Sequence, residues 1–328
     1  MLNWNNGQVT TLCLEALERL NYPVSWYIVD NGSSDTSVEV ISTWLQAGGK
    51  QIAKVRYLGA EARTEWQGAA ERGVGDVVLV AVDRNLGYGG GNNVGIGLAM
   101  LDGMDAVWVL NNDARPDPSS LDELVAVATG DRVGIVGATV LDDDGSDRVQ
   151  SVGGGRYRWA TSRTSLIGHG YPAGDVSQAT LDAPDFITGA AMLLKTAMVA
   201  DVGGFEEGYH LYCEEMDLAE RARARGWQMA VATGAVVRHR LGATLGSDAH
   251  LDRRSRRSYY YSARATVMLT RKFRPFLLPT VVASRLAFMT VLGLRRLGSP
   301  RAVARGVRDG LGAPLVGDRS LRAILRET

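Results

Sequence analysis

Two short stretches carry residue types that could perform chemistry together. The first is Asn111-Asn112-Asp113, which directly follows the apolar run Val107-Trp108-Val109-Leu110. A run of that length reads as a buried strand, so Asp113 falls just past a carboxyl end, where open α/β sheets bind ligands. A carboxylate and two amides in succession are hard oxygen ligands of the kind that hold Mg²⁺ or Mn²⁺ on a diphosphate. The same residues would also make an Asx turn ahead of a helix beginning near Pro118, and residue type alone leaves both readings open. The second stretch is Glu214-Glu215-Met216-Asp217, in a helix candidate over 213–225. Acids in a first turn suit the helix dipole. Three of them in four positions nevertheless repel one another, and a carboxylate at a helix start in a cleft can act as a general base. His239 ends a further apolar run, and a histidine beside a carboxylate loop completes a metal site if the fold brings the two together.

The elements that must position these groups follow from periodicity. Val9, Leu12, Cys13, Ala16, Leu17 and Leu20 predict an amphipathic helix over 8–20. A turn at Pro23 leads to a strand over 24–29, ending in Asp30-Asn31-Gly32-Ser33-Ser34-Asp35. Asp30 either caps that turn or accepts hydrogen bonds from a nucleobase or ribose. Thr36 and Glu39 have capping-box spacing, and Val38, Ile41, Trp44 and Leu45 supply the face of the next helix. Residues 48–75 match neither period and read as a partly helical insertion. After a strand at 77–82 comes a glycine-rich tract from Asp83 to Asn93, read as a loop offering backbone N–H groups to phosphate oxygens, or as a plain flexible turn. It is neither a Walker A loop nor a G-x-G-x-x-G fingerprint. A helix over 92–101 then feeds the strand before Asn111. Strand, loop and helix recur three times, the alternation of a mostly parallel α/β sheet. Further on, the pattern predicts a helix at about 119–128, a strand near 133–140 and surface hairpins over 142–182. Next come a strand over 186–194, whose Gly189 and Ala190 leave room for a sugar, and strands at 229–232 and 236–239.

Charge is divided along the chain. Residues 1–252 hold 33 acidic and 19 basic side chains, whereas 253–308 hold 14 basic ones and no acid. Such a tail is expected to meet an anionic surface, lipid or nucleic acid. The apolar stretch 276–294 contains Pro279 and Arg285, which makes it a poor membrane span and a better interfacial segment, the alternative being a helical pair packed on the domain. Cys13 and Cys213 form neither a disulfide framework nor a zinc pattern, and no signal peptide precedes the first polar cluster, so a cytoplasmic setting is expected. Met1-Leu2-Asn3 reads as the end of a strand that is mostly missing.

From Leu2 to about Phe273 these motifs stand in one order that resembles the family 2 glycosyltransferases of the GT-A fold, most closely the rhamnosyltransferase-like branch that builds cell-surface polysaccharide. The resemblance implies a Rossmann-like, mostly parallel sheet flanked by helices over residues 1–245, and a basic helical extension over 246–328. It assigns nucleotide or donor binding to Asn3, Asp30, Asn31, Asn85, Gly87, Tyr88, Asn92, Asn93 and Asn112. Asn111-Asn112-Asp113 stands where the family has Asp-x-Asp, so Asp113, Asn111 and His239 are the implied ligands of Mg²⁺ or Mn²⁺. Gly203-Gly204-Phe205 and Tyr212-Cys213-Glu214-Glu215 stand at the acceptor-side motif. Glu215 is the implied base, with Glu214 or Asp217 as alternatives. The chain departs from the family pattern at Asn111, at Glu215 and in the short first strand. The implied reaction is metal-dependent, inverting transfer of a sugar, rhamnose as a first guess, from a nucleoside diphosphate sugar to a saccharide or polyprenol-diphosphate-linked acceptor. No nucleic acid partner is expected on this reading, and the inner face of the cell membrane is the expected location. A nucleotidyltransferase and a non-catalytic sugar-binding subunit are the competing readings.

Overall fold

The computed structural model describes residues 1–58, 63–67, 75–176, 183–240, 255–295 and 298–326. The first half contains β1 (Leu2–Asn3), α1 (Gly7–Leu17), β2 (Trp26–Asp30), α2 (Ser37–Ala47), β3 (Ile52–Leu58), β4 (Arg63–Gln67), β5 (Val77–Val82) and α3 (Gly87–Leu101). Its sheet has the order β1-β2-β5-β3-β4 and is parallel throughout except for β4. Then come β6 (Ala106–Leu110), β7 (Ala114–Pro116), α4 (Ser120–Val127), β8 (Val133–Asp142), β9 (Val149–Val152), β10 (Gly154–Arg158), β11 (Arg163–Leu166), β12 (Phe186–Ile187), β13 (Ala191–Lys195), α5 (Thr196–Val202), α6 (Glu214–Ala224) and β14 (Gln228–His239). The second sheet, β6-β13-β8-β14-β7 with β9 beside β8, is mixed, and only its β8–β14 pairing is parallel. A parallel bridge between Leu2 and Asn111 joins the two sheets edge to edge. The short β1 therefore sets the first sheet's loops beside the end of β6.

Four expectations from periodicity are corrected. Ile52–Leu58 and Arg63–Gln67 pair as antiparallel strands, where a partly helical insertion is expected over 48–75. In β3, Val55 and Tyr57 are buried while Lys54 and Arg56 are exposed, a period of two that long charged side chains obscure. The tract from Gly87 to Asn93 is the first two turns of α3, not a loop. Most of α3 is buried, and the missing side chains let it lie close to its neighbours: a Cβ on Gly91 would sit 2.3 Å from Leu2 Cδ1. The strand expected over 186–194 is broken into β12 and β13 at 188–190, and 228–239 is one strand, irregular between Ala232 and Val236.

An apolar cavity of about 520 Å³ lies between β2 and β6, lined by Tyr27, Val29, Val107, Val109, Leu14 and Ile96 among others. The Met1 ammonium group donates to Tyr27 O at 2.9 Å, and burial pulls its pKa down to about 6.

The C-terminal helices are α7 (Arg256–Phe273), α8 (Leu278–Leu294), α9 (Pro300–Gly312) and α10 (Arg319–Arg326). Two of them share cores with the preceding body. Ala265, Met268 and Leu269 of α7 pack with Tyr209, Cys213 and Ala219, and Ile324 of α10 joins the cluster of Val94 and Leu98 in α3. Burial on both sides makes α7 a structural layer, against which α8 and α9 pack through Tyr259, Val267, Leu292 and Val303. The expected boundary at 245/246, Gly242 and the pair Arg253-Arg254 lie outside the described residues.

Candidate functional site

Asp113 sits in the turn between β6 and β7, and strand register brings His239 to it. β14 pairs antiparallel with β7 so that His239 lies opposite Ala114, one residue beyond Asp113. The result is Asp113 Oδ1 at 3.0 Å from His239 Nε2, with both side chains buried. Although this close, Asp113 Oδ1 accepts no hydrogen bond among the described residues. Asn111 completes the group, its Nδ2 lying 3.3 Å from His239 Nε2. A buried carboxylate oxygen without a proton donor, beside an imidazole nitrogen and a carboxamide, is a donor set that fits a hard divalent cation. Among the described residues no cluster of three or more His, Cys, Asp or Glu could hold a metal ion; this group has two such residues, with Asn111 beside them.

The residues expected to bind the donor form two networks, the first buried and the second partly so. In the first, Asn3 Nδ2 donates to Asp30 Oδ2 at 2.7 Å, and Asn3 Oδ1 accepts from Thr10 Oγ1 at 2.7 Å. Asn112 Nδ2 donates to Thr10 Oγ1 at 3.0 Å, tying the Asp113 turn to β1 and α1. Asp30 also accepts from Ser33 N at 3.0 Å and Ser33 Oγ at 2.6 Å, so it caps its own turn. In the second network, Asn31 donates to Gly87 O at 3.0 Å and accepts from Leu86 N at 3.0 Å, while Asn85 Oδ1 accepts from Gly87 N at 2.8 Å. Asn92 Nδ2 donates to Tyr88 O within α3. Asn93 exchanges hydrogen bonds with the backbone of Phe205 at 2.8 Å in each direction. These amides hold loops in place around the cleft, and Asn93 in particular clamps α3 to the 203–205 turn.

The acids of α6 follow a strained approach. His210, Tyr212 and Cys213 have φ of 68°, 71° and 71°, a region costly for side chains of this size. Tyr88 N donates to His210 O at 2.8 Å, and Gly87, at φ +79°, lies so near that a Cβ would fall 2.4 Å from the same oxygen. Tyr88 is thereby set beside the acids, and its hydroxyl donates to Gly189 O at 2.6 Å, next to the Ala190 carbonyl that receives Asn111 N. Burial, then the charges of Glu215 and Glu214, push the Tyr88 phenol well above its usual range. Glu214 is buried, and its Oε1 has no partner among the described residues. Burial first, then the neighbouring Glu215, hold the Glu214 carboxyl well above the ordinary carboxylate range. Burial also raises Glu215, which keeps more solvent contact.

Asp217 is placed apart from this pair. Its oxygens accept from Arg221 Nε at 2.6 Å, Lys272 Nζ at 2.6 Å and Tyr209 OH at 3.0 Å, so it is committed to two ion pairs and a phenol. It instead holds Arg221, whose guanidinium donates to Val202 O and Gly204 O. Sequence reasoning missed Thr10 and Ser33, for which the only signal was the hydroxyl type near a strand end. It also missed Gln150, in a stretch read only as surface hairpin, whose amide reaches both Nδ1 and the carbonyl of His239.

Residues 60–261 match the model of a family described as glycosyltransferase like family 2. The N-acetylglucosaminyl-diphospho-decaprenol L-rhamnosyltransferase of Mycobacterium tuberculosis is 26% identical over 258 residues, 74% of this chain and 75% of that protein. Among solved structures, mannosyltransferase PcManGT from Pyrobaculum calidifontis, in complex with GDP-Man and Mn²⁺, superposes with a TM-score of 0.52 at 12% identity, covering 99% of this chain and 84% of that one. S. aureus TarS 1–349 in complex with UDP-GlcNAc gives 0.53 at 13% identity, covering 95% and 80%. At such identities the two structures speak for the fold alone.

The raised Glu214 carboxyl has a thermodynamic consequence. Below the unfolded value of 4.5 it is protonated in both states; above it the unfolded chain releases a proton that the fold retains, so stability falls as pH rises towards the folded value. Glu214→Gln has no proton to lose. Its melting temperature should match the wild type near pH 4 and exceed it increasingly towards pH 8. A gap that does not change with pH would show that the carboxyl is not held above its ordinary range.

Proposed function

Because this chain belongs to the glycosyltransferase-like family 2 and has the GT-A architecture, we propose that it moves a hexose, rhamnose foremost, from a nucleoside diphosphate sugar to a saccharide or polyprenol-diphosphate-linked acceptor. The observation that carries this reading is the buried Asp113–His239 pair, whose carboxylate Oδ1 accepts no hydrogen bond among the described residues. Asp113, His239 and Asn111 would hold Mg²⁺ or Mn²⁺, which when bound neutralises the departing diphosphate. Similarity to the mycobacterial N-acetylglucosaminyl-diphospho-decaprenol L-rhamnosyltransferase supports the sugar and the polyprenol-linked acceptor.

Glu215 takes the proton. Two adjacent carboxyls, one buried and one half-buried, do not both ionise readily, so Glu214, the more deeply buried, keeps its proton, and Glu215 remains as the acceptor. As the acceptor hydroxyl attacks, its proton passes to the Glu215 carboxylate, the new glycosidic C–O bond forms and the bond from the anomeric carbon to the diphosphate oxygen breaks. One direct displacement inverts the anomeric centre. Tyr88, held between Gly189 and the acids, screens this side of the cleft from water. Asn3, Asp30, Asn31, Asn85 and Asn112 shape the nucleotide end by holding its loops.

On the same reading, the basic helices hold the enzyme at a membrane surface. Pro275–Leu294 is long and apolar enough to cross one by length and composition, and Phe276 and Leu294 are 74% and 81% exposed. Its middle is nevertheless fixed to the body, since Ser284 Oγ donates to Thr161 O and Arg285 donates to Ser162 O. A helix pinned at its centre lies along the interface, where arginines meet anionic headgroups at about 1 kcal/mol each.

Turnover against a panel of nucleotide sugars with Mn²⁺ tests the reaction. Asp113→Ala should abolish transfer, excess chelator should do the same, and Glu215→Gln should lower the rate by roughly 10²–10⁴-fold with donor affinity little changed. Full activity in chelator, or a mild Glu215→Gln beside a crippling Glu214→Gln, would contradict the assignments. For the membrane, full-length protein should sediment with anionic vesicles and release partly at high salt, and Phe276→Ser with Leu294→Ser should weaken it further. Equal solubility with and without vesicles would make α8 a packing element.

A further inference from the structure

A β-bulge points to one more residue of the metal centre. Along β8 and β9, Val140 pairs with Ser151 and Leu141 with Val149, so Gln150 is an extra residue without a partner in the ladder. Bulges turn a side chain out of its strand's alternation. Gln150 is 4% exposed and its carboxamide lies against His239. Its Nε2 donates to His239 O at 2.6 Å, and its Oε1 lies 2.9 Å from His239 Nδ1.

The proton positions follow from this geometry. A backbone carbonyl can only accept, so the end of the amide facing His239 O must be the NH₂ group. The other end, facing Nδ1, is then the carbonyl oxygen. An oxygen acceptor at that distance requires the hydrogen on Nδ1, which leaves Nε2 with its lone pair. One neighbour of Nε2 agrees, since Asn111 Nδ2, a donor, stands 3.3 Å from it; Asp113 Oδ1, 3.0 Å away, accepts no hydrogen bond among the described residues.

We propose that Gln150 is a positioning residue that fixes the hydrogen of the His239 imidazole on Nδ1 and so keeps the Nε2 lone pair, beside Asp113 Oδ1, for a divalent cation. The proposal rests on the metal reading given above. Without the clamp the imidazole can place its hydrogen on Nε2 and donate to Asp113, which consumes both lone pairs in one internal hydrogen bond. Partners that orient a metal-binding histidine in this way typically contribute 10–100-fold in metal affinity.

The tautomer is directly measurable, because the chain has only four histidines. Long-range ¹H–¹⁵N correlation spectra of the ¹⁵N-histidine-labelled full chain, with His239→Ala for assignment, should show Nδ1 protonated and Nε2 bare. Gln150→Leu should move the hydrogen to Nε2 and weaken Mn²⁺ binding, titrated with the metal alone, by 10–100-fold. Gln150→Glu retains an acceptor towards Nδ1 and should retain the wild-type signature. A wild type that transfers sugar but carries the hydrogen on Nε2 overturns the proposal alone. So does a Gln150→Leu variant with unchanged tautomer or unchanged Mn²⁺ affinity. A wild type that takes up no Mn²⁺ overturns the metal reading, and the proposal with it.

Discussion

A carboxylate oxygen and an imidazole nitrogen held side by side in a buried place set the main constraint on this molecule. Asp113 Oδ1 and His239 Nε2 lie 3.0 Å apart, and among the described residues the carboxylate oxygen accepts no hydrogen bond. Burial raises the cost of leaving such an oxygen without a partner, so an arrangement of this kind persists when rigid elements enforce it and a cation relieves it. The enforcing elements are identifiable. β6 delivers the Asp113 turn, β14 delivers His239 through its pairing with β7, and the bridge from Leu2 to Asn111 fixes the turn against the first sheet. The tail contributes from behind: Asp318, just before α10, accepts from Gly204 N in the turn whose next residue, Phe205, is clamped by Asn93 of α3.

The acids of α6 are coupled to this centre through α3. A helix whose first turns are mostly glycine can lie against the strained segment before α6, and that approach carries Tyr88 to the two glutamates. Glycine is a poor helix former, costing about 1 kcal/mol per residue relative to alanine, so local preference opposes the arrangement. Tertiary packing supplies the compensation: α3 is buried along most of its length against β2, the 203–209 region and α10. The positive φ values at His210, Tyr212 and Cys213 are part of the same trade. Strain concentrates where two carboxyls must be presented together.

Much of this was legible from residue order. The change from Leu110 to Asn111 marks a real strand end, the 214–217 cluster does begin a helix, and His239 does end a strand beside Asp113. What was not legible depends on contacts between segments distant in sequence. The glycine tract reads as a loop unless the buried surroundings that override its propensity are known. The antiparallel pair β3 and β4 has alternation too short and too heavily charged to stand out. Asp217 looks equivalent to its neighbours in sequence, and only the packing of α7, which brings Lys272, shows that it is committed to ion pairs. Several asparagines that invite a ligand-binding reading, Asn93 most clearly, spend their hydrogen bonds on the protein's own backbone. Gln150 depends on a bulge, which no periodicity reveals.

On the proposed reading, the Asp113 turn and the end of β14 together hold a divalent cation. Anomalous scattering from Mn²⁺ in crystals of the protein soaked with the metal and a nucleoside diphosphate tests this. One dominant peak is expected within coordination distance of both Asp113 Oδ1 and His239 Nε2, with diphosphate oxygens on its open side. A peak that avoids these two residues while the nucleotide is bound would contradict it.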